Sequence, residues 1–321
     1  MKDLKISNSK LNTWRKCHRA YHYKYILKLR KKIKSSALQR GSIIHECIEY
    51  YNNGKSWKKP FERFRKTFYE NTFIEERIML GDIPSMVESL MENYVRWTEE
   101  DELEYLENEL EFNLPLMPGV VFNGFLDSLV KDEKGKIWTL ERKTYAKEPS
   151  RDFLVFNTQS AIYTWACQQL GYNSQGTIWE IIKAKEPSKP KLTSKGILSQ
   201  ASLDSTPYTV ERGLKELGLN PKDYKDFIKG FSYESFFQRH KVLVNDSIVN
   251  LIMKDCKATA SEILEKGDTL KDRNLNRDCS FCEFKELCQA ELMGLDYSYI
   301  ISHEFEVKEE SEKDEKQKHK K

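Results

Sequence analysis

The chain has 321 residues, 39% of them hydrophobic and 12% aromatic, so a sizeable core can form in one large domain or two ordinary ones. Its 53 basic and 50 acidic side chains leave a formal net charge of +3, which excludes a coat basic over the whole surface but allows local basic patches. No apolar run is long enough to span a bilayer and no apolar leader with a cleavage site stands at the start, so no membrane contact and a cytoplasmic, reducing setting are expected. Seven cysteines, an odd number, then point to metal binding over disulfides.

The first stretch predicts a helix. Ser7, Asn8 and Ser9 offer N-caps, and Leu11, Trp14, His18, Tyr21 and Tyr25 recur on one face. A second helix is expected from Gly41-Ser42 through His45 and Glu49 to Tyr51, and residues 60–110 read as helical, with an acidic run from Leu103 to Leu110. Val120 to Val130 and Lys136 to Thr144 are rich in β-branched and aromatic residues, and the Asp132-Glu-Lys-Gly135 link predicts a turn, so together they form a hairpin. A helix from about Asp152, a candidate N-cap, to Leu170 ends at Gly171. Gly176–Ala184 and Ser235–Val244 read as strands, Lys185–Lys195 as a loop, and 208–230 and 248–266 as helices. The tail from Val307 to Lys321 is almost wholly charged and is expected to be disordered.

The hairpin holds the sharpest chemical signal, Glu141-Arg-Lys143. On a strand, residues two apart share a face, so Glu141 and Lys143 project together and Arg142 points away. With a three-residue loop, Glu133-Lys-Gly135, and Gly135 in the left-handed conformation, Asp132 faces Lys136 and Asp127 falls opposite Glu141. Two carboxylates so placed repel, and a divalent cation between them removes the penalty. A four-residue loop would slip the register and send Asp127 to the other face. Gln159 and Tyr163, four apart on the next helix, share a face, as a core tyrosine and a nearby amide commonly do. His45, beside Ile43 and Ile44, reads by itself as a core histidine.

Cys279-Ser-Phe-Cys282 and Cys288 form a C-x2-C-x5-C cluster, and Cys17 stands far off near the start. A metal centre made from these four would tie the two ends together. Sulfur-only ligation suits tetrahedral Zn²⁺ or a [4Fe–4S] cluster, and spacing does not separate them. Cys47, Cys167 and Cys256 fit no ligand spacing and read as core residues.

Basic residues interleaved with rings run from Trp14 to Lys34. Arg15, Arg19 and Tyr21 are therefore candidate DNA contacts, phosphates meeting cations and bases stacking on rings; the alternative is a helix that packs its rings inward. Arg239, beside His240, is another candidate phosphate contact.

Taken in order, Gly-x3-His45, Gly-x2-Asp127, Glu141-x-Lys143 and Gln159-x3-Tyr163 resemble the RecB/AddB-like branch of the PD-(D/E)XK nuclease superfamily, with Leu126 where proline commonly precedes the aspartate. The outer cysteines are similar to the iron–sulfur staple of its AddB-like and CRISPR-associated exonuclease members, which favours the cluster over zinc. The general look is similar to stand-alone phage-type exonucleases, for which the setting would be the host cytoplasm. The resemblance runs from about residue 7 to 290; 50–110 and 185–275 carry none of its motifs.

The resemblance implies an α/β fold with a central mixed β-sheet flanked by helices. It also implies one nuclease domain over 1–300, with helical insertions at about 50–110 and 185–275 and an iron–sulfur staple joining the ends. Asp127, Glu141 and His45 would hold Mg²⁺ or Mn²⁺, Lys143 would orient the attacking water or stabilise growing charge, and Gln159 and Tyr163 would position the strand or the lysine. The implied activity is a DNA exonuclease of replication, recombination or repair, leaving 5′-phosphate and 3′-hydroxyl ends. Partners would be single-stranded DNA or duplex ends and replication or recombination proteins. The competing readings are a catalytically inactive iron–sulfur or zinc DNA-binding module and a zinc-stabilised interaction protein.

Overall fold

A computed structural model describes residues 3–33, 35–99, 101–199 and 201–308. In chain order these form β1 (Leu4–Ile6), α1 (Asn8–Lys16), α2 (His18–Tyr21), a π-helical turn (His22–Ile26), β2 (Leu29–Lys31), α3 (Ser36–Asn52), α4 (Lys58–Asn71), α5 (Ile74–Leu80), α6 (Ile83–Trp97), β3 (Glu104–Met117), β4 (Val120–Lys131) and β5 (Ile137–Tyr145). Then come α7 (Arg151–Val155), α8 (Thr158–Gln169), β6 (Ser174–Lys183), α9 (Pro207–Glu216), α10 (Lys225–Lys229), β7 (Phe237–Leu243), α11 (Asp246–Lys266), α12 (Lys285–Leu292), α13 (Ser298–Glu304) and β8 (Phe305–Val307). No helix among the described residues is long and apolar enough to cross a membrane.

The chain divides into two compact units. One comprises Ser35–Glu111 and Phe125–Val249, the other Met1–Lys34, Phe112–Gly124 and Asn250–Lys321. The first unit is an α/β layer structure around a mixed sheet. β4 and β5 are antiparallel, β5 and β6 parallel, β6 and β7 antiparallel. Helix α8 packs on β5 and β6. Residues of α3, α4 and α6, among them Ile44, Phe61 and Leu90, form a core with Ile182 of β6 and Phe237 of β7. At Gly176 (φ 140°) an added Cβ would sit 2.1 Å from the Val242 carbonyl oxygen, so only glycine lets β6 and β7 approach there.

The β4–β5 turn is the expected three-residue loop. Gly135 has φ 74°, and the Asp132 amide donates to the Lys136 carbonyl at 2.9 Å. Asp132 Oδ1 accepts from the Lys134 and Lys136 amides, which fixes the turn. The pairing Lys131↔Ile137 through Ser128↔Leu140 then sets the register of the whole hairpin.

In the second unit β1 pairs in parallel with the start of β4, and β2 pairs antiparallel with β8. Helix α1, capped by Ser7, buries Leu11 and Trp14. Tyr23, Leu29, Phe284, Leu287 and Phe305 share one core. The early and late segments are laced directly: the Arg19 amide donates to the Asp272 carbonyl at 3.0 Å, and Lys24 pairs with Glu283 at 2.5 Å.

Several elements differ from the sequence expectation. Residues 104–110 belong to a strand, not a helix; Glu107 to Leu116 alternate exposed with covered positions, a period of two. The opening helix breaks at Cys17, whose backbone is extended (φ −169°, ψ 118°). Helix α3 starts at Ser36, capped by Ser35, ahead of the expected Gly41. The helix expected over 152–170 is two helices capped by Ser150 and Asn157, so Asp152 is not an N-cap. Val307 lies in β8 and is ordered with it; residues 309–321 of the expected disordered tail lie outside the described residues.

Candidate active site

The register of the hairpin decides the site. The ladder ends at Ser128↔Leu140; continued one step, its register sets Asp127 against Glu141, and the Asp127 charge acts on the Glu141 carboxyl. Asp127 Oδ2 accepts the Arg142 amide at 2.7 Å, which holds that carboxylate against β5. Lys143 reaches Glu141 Oε1 as a close ion pair. Gln159, on the first turn of α8, donates from Nε2 to Glu141 Oε1 at 2.7 Å and to the Tyr163 hydroxyl at 2.8 Å. His45 of α3 stands with Nδ1 3.7 Å from Asp127 Oδ2. Six sequence-predicted residues, His45, Asp127, Glu141, Lys143, Gln159 and Tyr163, thus form one connected cluster.

The electrostatics are out of balance. Glu141 is 4% exposed, and its Oε2 is buried with no hydrogen-bond partner. Burial and the neighbouring Asp127 push its carboxyl up to about 8, more than Lys143 and Gln159 offset. Burial draws Lys143 down, but Glu141 and Asp127 outweigh it and leave the ammonium above its ordinary value. Burial lowers His45 despite Asp127, so its ring favours the neutral form that can ligate a metal. Tyr163 is pushed well up by burial, keeping its hydroxyl protonated. Among the described residues, no group of three His, Cys, Asp or Glu side chains is gathered closely enough to hold an ion as it stands. An orphaned buried carboxylate oxygen opposite a second carboxylate, with a neutral imidazole at hand, is nonetheless a donor set that suits Mg²⁺ or Mn²⁺.

A model of the PD-(D/E)XK nuclease superfamily matches residues 5–289. The chain belongs to that superfamily. The mixed sheet flanked by helices agrees with membership of this nuclease superfamily. Solved structures similar to this PD-(D/E)XK chain include a candidate exonuclease from Eubacterium rectale, 12% identical, covering 88% of this chain and 87% of that one with a TM-score of 0.46. Another is SSO0001, also 12% identical, covering 90% of this chain and 88% of that one with a TM-score of 0.36. Neither likeness is close enough to carry further argument. No curated protein matches the chain.

On the opposite face of β5, Arg142 donates to Glu180 Oε1 at 3.0 Å and to Ser128 Oγ at 3.1 Å. Glu180 also accepts from the Tyr94 hydroxyl at 2.9 Å and from Arg239 Nε at 2.8 Å. Arg142, Glu180 and Arg239 face one another in register across β5, β6 and β7. The sequence reading missed this row; Glu180, a lone charge inside the apolar run Ile178–Ile182 of β6, was its available signal.

The DNA-contact expectations fare differently. The guanidinium of Arg239 also makes a two-pronged pair with Asp101 at 2.6 and 2.7 Å, so these donors are engaged within the fold. Tyr21 is 2% exposed and meets the Trp14 ring edge-on at 4.9 Å, so its ring is packed inside the fold. Arg19 is taken up by Glu291, with Nε to Oε2 at 2.8 Å, and lies over Tyr23. Arg15 is exposed and donates to Thr259 at 3.0 Å. The inward-packing reading of this helix accounts for the rings.

Cys17, Cys279, Cys282 and Cys288 all lie in the second unit as free, partly exposed thiols. Cys17 is near enough to Cys282 for its charge to raise that thiol, after burial, the larger cause. Cys47, Cys167 and Cys256 are fully buried, and burial pushes the first two up to about 12, as inert core thiols require.

Proposed function

We propose that the chain is a divalent-metal-dependent deoxyribonuclease acting as an exonuclease, in the RecB/AddB-like branch of its superfamily. The observation that carries the metal dependence is the Glu141 oxygen left without a partner, facing a second carboxylate in a site already short of positive charge. Asp127, Glu141 and neutral His45 would hold the cation, which when bound polarises a phosphodiester and lowers the pKa of water. Lys143, held by Glu141, aims an ammonium at the place where charge grows on the phosphoryl oxygens. Gln159, bonded to both Glu141 and Tyr163, fixes the carboxylate against α8 and leaves one oxygen free. The test is release of nucleotides from 5′- and 3′-labelled strands with Mn²⁺, with and without chelator. Digestion that survives Lys143→Ala would assign the activity elsewhere.

Cys17, Cys279, Cys282 and Cys288 would hold a [4Fe–4S] cluster, with Zn²⁺ the alternative; four unpaired soft donors in one unit support it. Iron, sulfide and zinc assays of purified protein decide between the two. Cys282→Ala should give colourless, poorly folded protein. Because both ends are also laced by hydrogen bonds and ion pairs, a stable and fully active variant would sink the staple.

A further inference from the structure

We propose that Tyr145, Phe153 and Phe156 form a stacking ledge for the bases of an unpaired DNA strand beside the active site. This rests on the nuclease reading and adds to it the form of the substrate: single strands and frayed ends.

Tyr145 is two residues past Lys143 and four past Glu141, so the strand's alternation sets all three on one face of β5. Its hydroxyl lies within electrostatic reach of both. Its ring meets Phe153 edge-on, with centroids 6.3 Å apart at 88°. Helix α7 is anchored by Leu154, 1% exposed, while Phe153 is 52%, Val155 50% and Phe156 81% exposed. Phe156 immediately precedes Asn157, the cap of the helix that carries Gln159 and Tyr163. The segment that carries these rings is therefore joined along the chain to the catalytic cluster at both ends, through β5 and through α8. Grouped apolar surface held in water marks a place where something binds.

The charge around the rings selects a polyanion. Tyr145 pairs in register with Lys183, and the Ala184 amide donates to the Tyr145 carbonyl at 2.8 Å. Lys183 and Lys185 share a single carboxylate, Asp204, at 2.9 and 2.7 Å. Lys147 and Arg151, which flank the turn into α7, have no ion-pair partner among the described residues. Glu148 is drawn off by Gln238 at 3.1 Å, leaving Asp152 as the carboxylate of α7 itself. Phosphates meet the cations and bases stack on the rings; every base has a flat face, so the ledge does not read sequence. A duplex keeps its base faces inside and gains nothing from it.

The test compares the wild type with a Phe153→Ala/Phe156→Ala variant by fluorescence anisotropy, using a labelled single-stranded oligonucleotide and a blunt duplex, with Ca²⁺ replacing the catalytic ion. The variant should bind the single strand roughly tenfold more weakly, the loss of one or two stacked bases, and bind the duplex unchanged. Phe153→Tyr/Phe156→Tyr should restore binding. If the double variant is misfolded by circular dichroism, Phe156→Ala alone, at the most exposed ring, gives the same reading. Equal single-strand affinity in variant and wild type, or no wild-type binding, overturns the ledge and leaves the rings to a protein partner. Ring-dependent binding in Ca²⁺ with no hydrolysis once Mn²⁺ is supplied would instead sink the nuclease reading and keep the ledge.

Discussion

Glu141 and Glu180 sit on adjacent, register-paired strands, both sealed from water, yet their surroundings are opposite. Burial pushes Glu180 up, but Arg239 and Arg142 more than reverse it, and both its oxygens are hydrogen-bonded. Glu141 has one lysine, one amide and a facing carboxylate, and one of its oxygens has no partner. One carboxylate is satisfied by the chain; the other keeps one buried oxygen without a partner among the described residues. The difference teaches how a fold and a site share one strand: Arg142 points to the first and Glu141 with Lys143 to the second.

The comparison can be broken from either face. The largest effect belongs to the back: Glu180→Ala strands the buried Arg142, takes one of two carboxylate partners from Arg239, and should cost about 3–5 kcal/mol in denaturant melts, far more than Glu180→Gln. A loss below about 1 kcal/mol would show that the row does not hold the sheet. On the front, Lys143→Ala should leave the melt nearly unchanged and lower the rate of DNA hydrolysis about 10²–10³-fold. A variant that both unfolds and slows would erase the contrast.

The pH dependence sharpens it further. In the folded chain Glu141 stands at about 8, above the ordinary 4.5, so its proton favours folding. That contribution is fully present below about pH 4.5 and lost as pH rises through about 8. Metal-free protein should therefore lose melting temperature across that window, and Mg²⁺ or Mn²⁺ should restore more at pH 8 than at about pH 6. A metal-induced gain that is flat with pH would remove Glu141 from the ligand set. The smallest effect is expected from Tyr163→Phe, which deletes the acceptor at 2.8 Å from Gln159. About 1 kcal/mol, or roughly fivefold in rate, should be lost, with the fold intact.

Much of the site was legible because hairpins and helices are local. A loop of three residues ending in Gly135 is enough to count Asp127 opposite Glu141, and a spacing of four is enough to align Gln159 with Tyr163. The strand at 104–117 was misread because its glutamates mask an alternation that only sheet pairing makes useful. For Tyr21 and Arg239 residue type tells what a side chain could touch, while burial and Asp101 decide what it touches within the fold. Glu141 itself was visible as a residue, but its raised pKa was not, since it comes from burial in the folded chain and then from the Asp127 charge on β4.

The sequence alone determined the hairpin, its register and the order of the reactive residues, because turn chemistry and side-chain alternation act over a few peptide units. Only the tertiary structure decided which charges are neutralised and which rings stay in water. Those outcomes depend on contacts between residues far apart in the chain, and no local pattern encodes them.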